Sequence, residues 1–204
     1  MGWLGRKGVR SLAKKMDDWY VNGSGSGEPR GIRIAENVNS VAQEVAGDFG
    51  WTDVVELEMA LPQQHRPMAA FVLNDTGLKL IRKAATTTGE PAFVSPGDFG
   101  RLGISTDYKN SRGMIRLPGA EYPYFIVSAS ALPNNLGAGA NETEIWFGVL
   151  ANYRIWAAGE MEMSQDSAGE NFRKGQTQVK LEVREDGVVV LGESFAKLTG
   201  VLKS

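Results

Sequence analysis

A chain of 204 residues is long enough for one domain with a substantial core, or for a domain with an extension. The composition, 42% hydrophobic and 23% charged, is that of a folded globular protein, and a net charge of −2 argues against a protein held on nucleic acid by bulk electrostatics. The absence of cysteine excludes thiolate catalysis, disulfides and zinc–thiolate sites, and no apolar run approaches the roughly 20 residues that a membrane span needs.

An amphipathic helix is predicted from about Lys7 to Val21. Its apolar face is formed by residues at helical spacing, namely Leu12, Met16, Trp19 and Tyr20. Basic residues crowd the first turns, opposite to the order that the helix dipole favours. A basic amphipathic helix can lie on a membrane surface, but a packed helix with a solvated basic side is the favoured interpretation. The charged N-terminus precedes no apolar core, so no secretory signal is expected and the protein is predicted to be soluble and intracellular.

A glycine-rich connection occupies residues 22–31. The residues that allow it to turn are Gly23, Gly25, Gly27 and Pro29. A phosphate-binding loop would need Gly-Lys-Ser/Thr before a helix, or a strand before the glycines and a helix after them. Here a helix precedes the glycines and Pro29 follows them. The segment is therefore predicted to be a flexible hinge between two substructures.

The middle of the chain predicts two helices on either side of a buried strand. Asp53 and Glu56 have capping-box spacing and open a helix that Pro62 ends. Residues 69–73 form a short apolar strand, and Asn74 or Asp75 caps the next helix. Residues 93–116 show little periodicity and are predicted to be a long loop or an irregular hairpin. Helices followed by strands indicate an α+β fold.

The last third is predicted to be rich in strands. An apolar strand is expected over residues 124–127, and residues 176–184 alternate so that one face is apolar and the other charged. The charged face carries Lys180, Glu182 and Arg184, which are the candidate residues for contacts between subunits. A turn is expected at residues 185–187, and an apolar strand at residues 188–191.

Candidate catalytic groups are few. The single histidine, His65, sits at a turn with no Ser or Cys partner at motif spacing. The acidic residues alternate with apolar ones and are most simply solvent faces, although two carboxylates could meet in space as glycosidases require. No catalytic, cofactor-binding or metal-binding residue is assigned, and the chain is not expected to be an enzyme.

Four segments, in order along nearly the whole chain, resemble the major capsid proteins of tailed phages with the Hong Kong 97 fold. They are the helix end DDWYVNGSGSGEPRGI, the segment ELEMALPQQHRPMAAFVLNDTGLKLIRKAATTTGEPAF, the strand region AEYPYFIVSASALPNN, and the closing run from Ile145 to Gly200. The resemblance implies an α+β, Hong Kong 97-like capsid fold. Compared with the family, we expect the N-terminal arm, the extended loop and most of the spine helix to be missing from this sequence.

The resemblance also implies a division of the chain. Residues 1–21 would be the end of the spine helix in a peripheral domain, and residues 22–31 the hinge. Residues 32–158 would form the axial domain, and residues 159–204 the long strands of the peripheral domain.

The function implied by the resemblance is structural. Copies of the chain would associate into pentamers and hexamers of an icosahedral shell that encloses double-stranded DNA, contacted only non-specifically. The protein would be made in the bacterial host cytoplasm and reside in the virion capsid, with no membrane partner and no cofactor. Because family members are longer, the resemblance implies either a second chain as the partner that supplies the missing half, or a truncated form such as a prophage remnant or a cut sequence. The alternatives are an encapsulin-like shell protein around cargo enzymes and a monomeric α+β binding protein.

Overall fold

The computed structural model describes residues 3–44, 47–84, 112–117, 120–159, 162–166, 173–175 and 178–202. Its helices are α1 (Trp3–Asn22), α2 (Trp51–Ala60) and α3 (Asp75–Lys83). Its strands are β1 (Asn39–Ala42), β2 (Ala70–Leu73), β3 (Arg112–Leu117), β4 (Ala120–Ile126), β5 (Glu142–Gly148), β6 (Tyr153–Ala157), β7 (Glu162–Asp166), β8 (Gln178–Glu182), β9 (Glu185–Val189) and β10 (Phe195–Leu202). The predicted α+β class is confirmed.

Six of these strands form a central mixed sheet in the order β1-β10-β5-β2-β4-β3. The strands β2 and β4 run parallel, as do β1 and β10, while the other neighbours are antiparallel. The C-terminal strand β10 therefore lies inside this sheet, between β1 and β5. The division predicted at residue 159 grouped that strand with the peripheral domain instead.

The sheet buries a different core on each face, because neighbouring residues of a strand point to opposite sides. On one face, Phe71 of β2 and Phe147 of β5 stack at 4.5 Å and pack with the buried side of α2 and α3. On the other face, Val72 and Trp146 meet Val21 from the end of α1. The end of α1 is thus part of the second core.

Helix α3 begins where the sequence predicts. The side chain of Asn74 accepts a hydrogen bond from the backbone N–H of Gly77 at 2.8 Å, which caps the helix. The amide of the same side chain donates to the carbonyl of Leu132 and to the hydroxyl of Thr143, both at 2.9 Å. Asn74 is buried, and these three bonds satisfy it while tying the helix to β5.

Helix α2 begins two residues earlier than predicted. It starts at Trp51, and Asp53 lies inside the first turn rather than at its start. The buried carboxylate of Asp53 accepts hydrogen bonds from the backbone N–H groups of Gly50 at 2.9 Å and Glu44 at 3.0 Å. Asp53 therefore caps the start of the helix through its bond to Gly50, and its bond to Glu44 also holds the preceding loop.

The predictions for the last third need three corrections. The strand expected over residues 176–184 is β8, which spans Gln178–Glu182. The turn expected at residues 185–187 is instead the start of β9, because these residues pair with residues 155–157 of β6. Val179, expected on a dry face, is 39% exposed.

The segment over residues 93–116, predicted to be a loop or irregular hairpin, is described only from residue 112 onward. That part is β3, which pairs with β4 in an antiparallel hairpin. Residues 93–111 lie outside the described residues. The strand predicted over residues 124–127 corresponds to the end of β4.

Candidate subunit interface

The strands β6, β7, β8 and β9 form a two-stranded structure, here called the hairpin arm. β6 pairs with β9 and β7 with β8, both antiparallel. Between the two paired regions, the backbone N–H of Ala158 donates to the carbonyl of Arg184 at 2.8 Å. Gly159 at this point has φ +108°, which a glycine adopts without strain.

One face of the arm lies against helix α1 and is called the helix face. The ring of Tyr20 packs edge-on against Tyr153 of β6 with centroids 5.7 Å apart, and its hydroxyl donates to the carboxylate of Glu185 on β9. Further along, the side chain of Leu181 on β8 reaches the backbone of Gly8, where a Cβ atom would lie only 2.7 Å from it. These contacts place odd-numbered residues of both strands toward the helix.

The opposite face, called the outer face, carries even-numbered residues. It contains all three residues predicted for subunit contacts, Lys180, Glu182 and Arg184. Glu182 sits between the two cations, with oxygens 2.7 Å from Lys180 Nζ and 3.6 Å from Arg184 Nη2. The hydrogen bond from Lys180 lowers the pKa of the Glu182 carboxylate. The structure therefore brings the three predicted residues together as one exposed ionic row.

Trp156, which is not among the residues predicted for subunit contacts, lies on the same outer face. The Trp156 residue is 55% exposed and stands directly opposite Asp186 across the ladder. Arg154, two residues before it on the same face, is also exposed and makes no ion pair within the described ranges. The alternation of Tyr153 and Ile155 with Arg154 and Trp156 was the available signal, because it places an aromatic residue on each face of a strand.

Exposed apolar side chains are concentrated on the arm. Four of the large hydrophobic residues with high exposure belong to its strands, namely Ile155, Trp156, Met163 and Val179, and Val190 follows directly. Ile155, Met163 and Val179 have odd numbers and lie on the helix face, whereas Trp156 lies on the outer face, so both faces of the arm expose apolar area to water. Aromatic and arginine residues in such a setting are typical of the centres of protein interfaces.

The base of the arm is held by a cluster of tyrosines. Tyr153 donates from its hydroxyl to the carbonyl of Arg30 at 3.2 Å, and the N–H of Arg30 donates to the carbonyl of Gly187 at 2.8 Å. Burial raises the pKa of Tyr153 to about 12. Burial, and then the hydrogen bond to Glu185, raise the pKa of Tyr20 as well. Both phenols are therefore neutral donors at ordinary pH.

The residues predicted to form a hinge, Gly23, Gly25, Gly27 and Pro29, lie in a turn that is closed at its base. The N–H of Gly31 donates to the carbonyl of Gly23 at 2.8 Å, and Ser24 bridges to Arg30. A Cβ on Gly31 would lie 2.4 Å from the carbonyl oxygen of Val21. The turn thus begins and ends beside the end of α1. The hinge role of these residues stays a prediction.

A polar network next to this turn connects α1 to the central sheet. Arg33 donates from Nε and Nη2 to the two carboxylate oxygens of Glu144 on β5, both at 3.1 Å, and from Nη1 to the side chain of Asn22 at 2.9 Å. The indole N–H of Trp146 donates to the same carboxylate at 3.1 Å. Two parallel bonds between a guanidinium and a carboxylate fix both position and orientation. The end of the helix is therefore held rigidly against β5.

Three further features bear on other possible functions, namely the single histidine, the acidic residues and a surface cleft. His65 lies next to Gln64, with the two side-chain nitrogens 3.2 Å apart. No group of three or more His, Asp or Glu side chains in the described part of the chain could hold a metal ion. A cleft of about 200 Å³ lies beside the turn and is lined partly by the exposed Arg30–Glu36 pair. None of the described helices is long and apolar enough to cross a membrane.

Comparison with known families gives one match over nearly the whole chain. The model of the phage capsid family matches residues 1–200. No curated protein matches the sequence.

Several solved structures share the fold. The capsid of an empty GTA particle is 21% identical, with a TM-score of 0.71 over 98% of this chain. The encapsulin complex of Synechococcus elongatus PCC 7942 is 12% identical with a TM-score of 0.60, and the structure of Gordonia phage Cozz is 14% identical with a TM-score of 0.58. The present chain spans 65% of the length of the GTA capsid chain and 62% of that from phage Cozz.

Proposed function

This chain belongs to the phage capsid family, and on that premise we propose that it is a structural subunit that associates with its own copies into the pentamers and hexamers of an icosahedral shell around double-stranded DNA. In this proposal the protein is made in the bacterial host cytoplasm and resides in the virion capsid. The DNA is a non-specific partner, in keeping with the net charge of −2. Because the GTA capsid chain is longer, the proposal includes a second chain that supplies further shell contacts.

The observation that carries the proposal is the hairpin arm. An isolated two-stranded ribbon is marginally stable in water, and this one is supported by α1 on a single face. Its outer face presents Trp156 and the row of Lys180, Glu182 and Arg184 to solvent. Covering this outer face with another copy of the chain removes the apolar area of Trp156 from water.

We propose a domain division adjusted to the sheet. The axial unit consists of the six-stranded sheet with α2 and α3, and it includes β10 from the C-terminus. The peripheral unit consists of α1 and the hairpin arm. The turn over residues 22–31 lies between the two, so the predicted hinge role of Gly23, Gly25, Gly27 and Pro29 is kept as part of the proposal.

Two alternatives are less well supported. An encapsulin-like shell would use the same fold, but the similarity to the encapsulin, with a TM-score of 0.60, is lower than the 0.71 for the GTA capsid. A monomeric binding protein or an enzyme would need a pocket with converging polar groups. The cleft beside the turn is lined by Arg30, Glu36 and apolar valines, which is not such an arrangement.

The test is the state of assembly of the purified chain, measured by light scattering and negative-stain electron microscopy over protein and salt concentration. The variant K180E/E182K reverses both charges of the ionic row. We expect weaker association with an unchanged melting temperature of the unassembled chain, because exposed ion pairs contribute little to folding. The variant K79E, on helix α3 away from the arm, is the control. Unchanged assembly of K180E/E182K would contradict the role of the row, and a chain that stays unassembled at every concentration would contradict assembly from its own copies alone and leave only the form of the proposal that needs the second chain.

A further inference from the structure

We propose that strand β6 is the strand through which two copies of this chain join, pairing antiparallel with β6 of the second copy about a two-fold axis. The two hairpin arms would then form one four-stranded sheet. This inference rests on the proposed function, because it specifies one contact through which the chain self-associates.

The first step concerns the edge of the arm formed by β9, which is closed. In an antiparallel ladder both backbone groups of a residue point to the same side of its strand. The carbonyl of Gly187 accepts from the N–H of Arg30 at 2.8 Å, and the N–H of Gly187 donates to the side chain of Asp186 at 2.8 Å. Gly187 therefore points away from β6, and the chain itself occupies the backbone groups at this position.

The second step concerns the edge formed by β6, which is open. Ile155 stands directly opposite Gly187 in the ladder, so its backbone groups point away from β9. The same holds for Ala157, two residues along. No strand of the described part of the chain lies on this side, since the two-stranded sheet consists of β6 and β9 alone. An open strand edge is a template for pairing with another strand.

The third step is that β6 is complementary to itself. With Ile155 on the two-fold axis, Ile155 meets Ile155 of the second copy, and Tyr153 meets Ala157. Arg154 then stands opposite Trp156 of the second copy, twice, at the closely spaced positions of the ladder. A guanidinium over an indole ring is the strongest common cation–π pairing of side chains. Both residues are exposed and Arg154 has no ion-pair partner in the ranges described, so each lacks a contact that the other supplies.

The choice of a second copy as the occupant follows from this symmetry. A two-fold contact requires that the same surface patch match itself, which β6 does in side chains and in its backbone groups. Ile155, 49% exposed, would be covered at the centre of the contact, and Trp156 would be covered beside it. A four-stranded sheet also has the number of strands that a stable independent sheet needs.

The experiment compares two substitutions at one residue. The variant I155P removes the outward N–H while leaving the bonds between β6 and β9 intact, since proline is tolerated where the N–H faces solvent. The variant I155V keeps the N–H, the β-branched shape and the apolar character, and removes one methylene from each copy. Loss of two symmetric backbone hydrogen bonds predicts that I155P associates about thirtyfold more weakly than wild type, while I155V changes association only about threefold.

A second measurement decides the matter if I155P folds poorly. The chain has no cysteine, so I155C carries a single thiol. Residues paired across a ladder at the hydrogen-bonded positions lie about 5.5 Å apart at Cα, within the range that a disulfide spans. We expect I155C to form a disulfide-linked dimer under mild oxidation and V190C, with a side chain 63% exposed, to remain mostly unlinked.

The outcomes separate the two claims. Shells or capsomers from wild type together with equal assembly of I155P, or equal cross-linking of V190C and I155C, would overturn the β6 contact and leave the proposed function standing. Cross-linking to a different protein instead of a second copy would also overturn it. A wild-type chain that stays monomeric at every concentration would overturn the β6 contact and, with it, assembly of the shell from this chain alone.

Discussion

The guanidinium of Arg33 joins the end of helix α1 to the central sheet through three hydrogen bonds to Glu144 and Asn22. The variant R33K keeps the charge but cannot reproduce the paired geometry, because an ammonium is a point charge rather than a planar fork. We expect R33K to lower the free energy of unfolding by about 1–3 kcal/mol in chemical denaturation. The control is R30K, whose ion pair with Glu36 is exposed and should change stability by about 0.5 kcal/mol or less. Equal losses in both variants would contradict this account.

Tyr122 gives the protein a defined sensitivity to alkali. Its buried hydroxyl donates to the carboxylate of Glu58 at 2.7 Å, and burial followed by that hydrogen bond raises its pKa to about 12. In the unfolded chain the phenol ionises near pH 10. Between about pH 10 and 12 the folded state therefore holds a proton that the unfolded state has released. The contribution of Tyr122 to the free energy of unfolding is fully present below pH 10 and is lost as the pH rises toward 12.

The variant Y122F tests this sign. It should be less stable than wild type by about 1 kcal/mol at pH 7, because the hydrogen bond to Glu58 is lost. Between pH 9 and pH 12 wild type should lose about 1–2 kcal/mol more than the variant, measured by urea denaturation at each pH. Parallel losses in the two proteins would mean that Tyr122 does not carry the alkaline transition.

At the scale of single residues, the sequence predicted the interactions between residues that are close together in the chain. Asn74 is recognisable as a helix cap because its partner, Gly77, is three residues away. The bonds from Asn74 to Leu132 and Thr143 were not predictable, since they depend on how distant strands pair. The alternation of β6 places Trp156 on the outer face, but its exposure there depends on which elements pack on the arm, and that is not encoded locally.

At the scale of elements, the turn over residues 22–31 depends on close backbone approach. A methyl group on Gly31 would lie 2.4 Å from the carbonyl oxygen of Val21, and backbone atoms cannot move aside as a flexible side chain can. The variant G31A should therefore lower stability by about 3 kcal/mol and separate the end of α1 from the sheet. Gly27 is the matched control, because it has open space around it and only its φ of +74° opposes a side chain.

The expected cost of G27A is accordingly about 1 kcal/mol, from the left-handed backbone alone. Thermal denaturation followed by circular dichroism distinguishes the two variants. If G31A melted like G27A, the closed base of the turn would not be what holds α1 in place.

The elements themselves were predicted unevenly. The amphipathic helix expected from Lys7 to Val21 corresponds to α1, and the apolar run at residues 69–73 to β2, because periodicity and burial agree there. The division of the last third was less accurate. The alternating run over residues 176–184 indicated one strand, whereas the pairing partner ends β8 at Glu182 and Gly187 continues β9. The end of a strand is decided by the strand it pairs with. The alternation of residues 176–184 does not show that β8 pairs with β7.

At the scale of the whole molecule, the two units differ in how completely a single copy stabilises them. The central sheet buries both of its faces, with Phe71 and Phe147 fully enclosed. Among the described elements, α1 contacts the hairpin arm on its helix face, and exposed residues remain on both faces, including Met163 on the helix face and Trp156 on the outer face. Local opening occurs first where few apolar contacts and exposed backbone bonds coincide. The arm is therefore the part of the subunit whose stability should respond to association.

Hydrogen–deuterium exchange at two protein concentrations measures that response directly. Any process that binds the folded state stabilises it in proportion to the logarithm of partner concentration. We expect the amides of Ile155 and Ala157 in β6 to exchange rapidly in dilute protein and to become protected as the chain associates. The amides of β5 should be protected to the same degree at both concentrations, since that strand is paired on both sides within one copy. Protection of β6 that did not change while the protein assembled would mean that subunits meet elsewhere, and that the arm is stable without a partner.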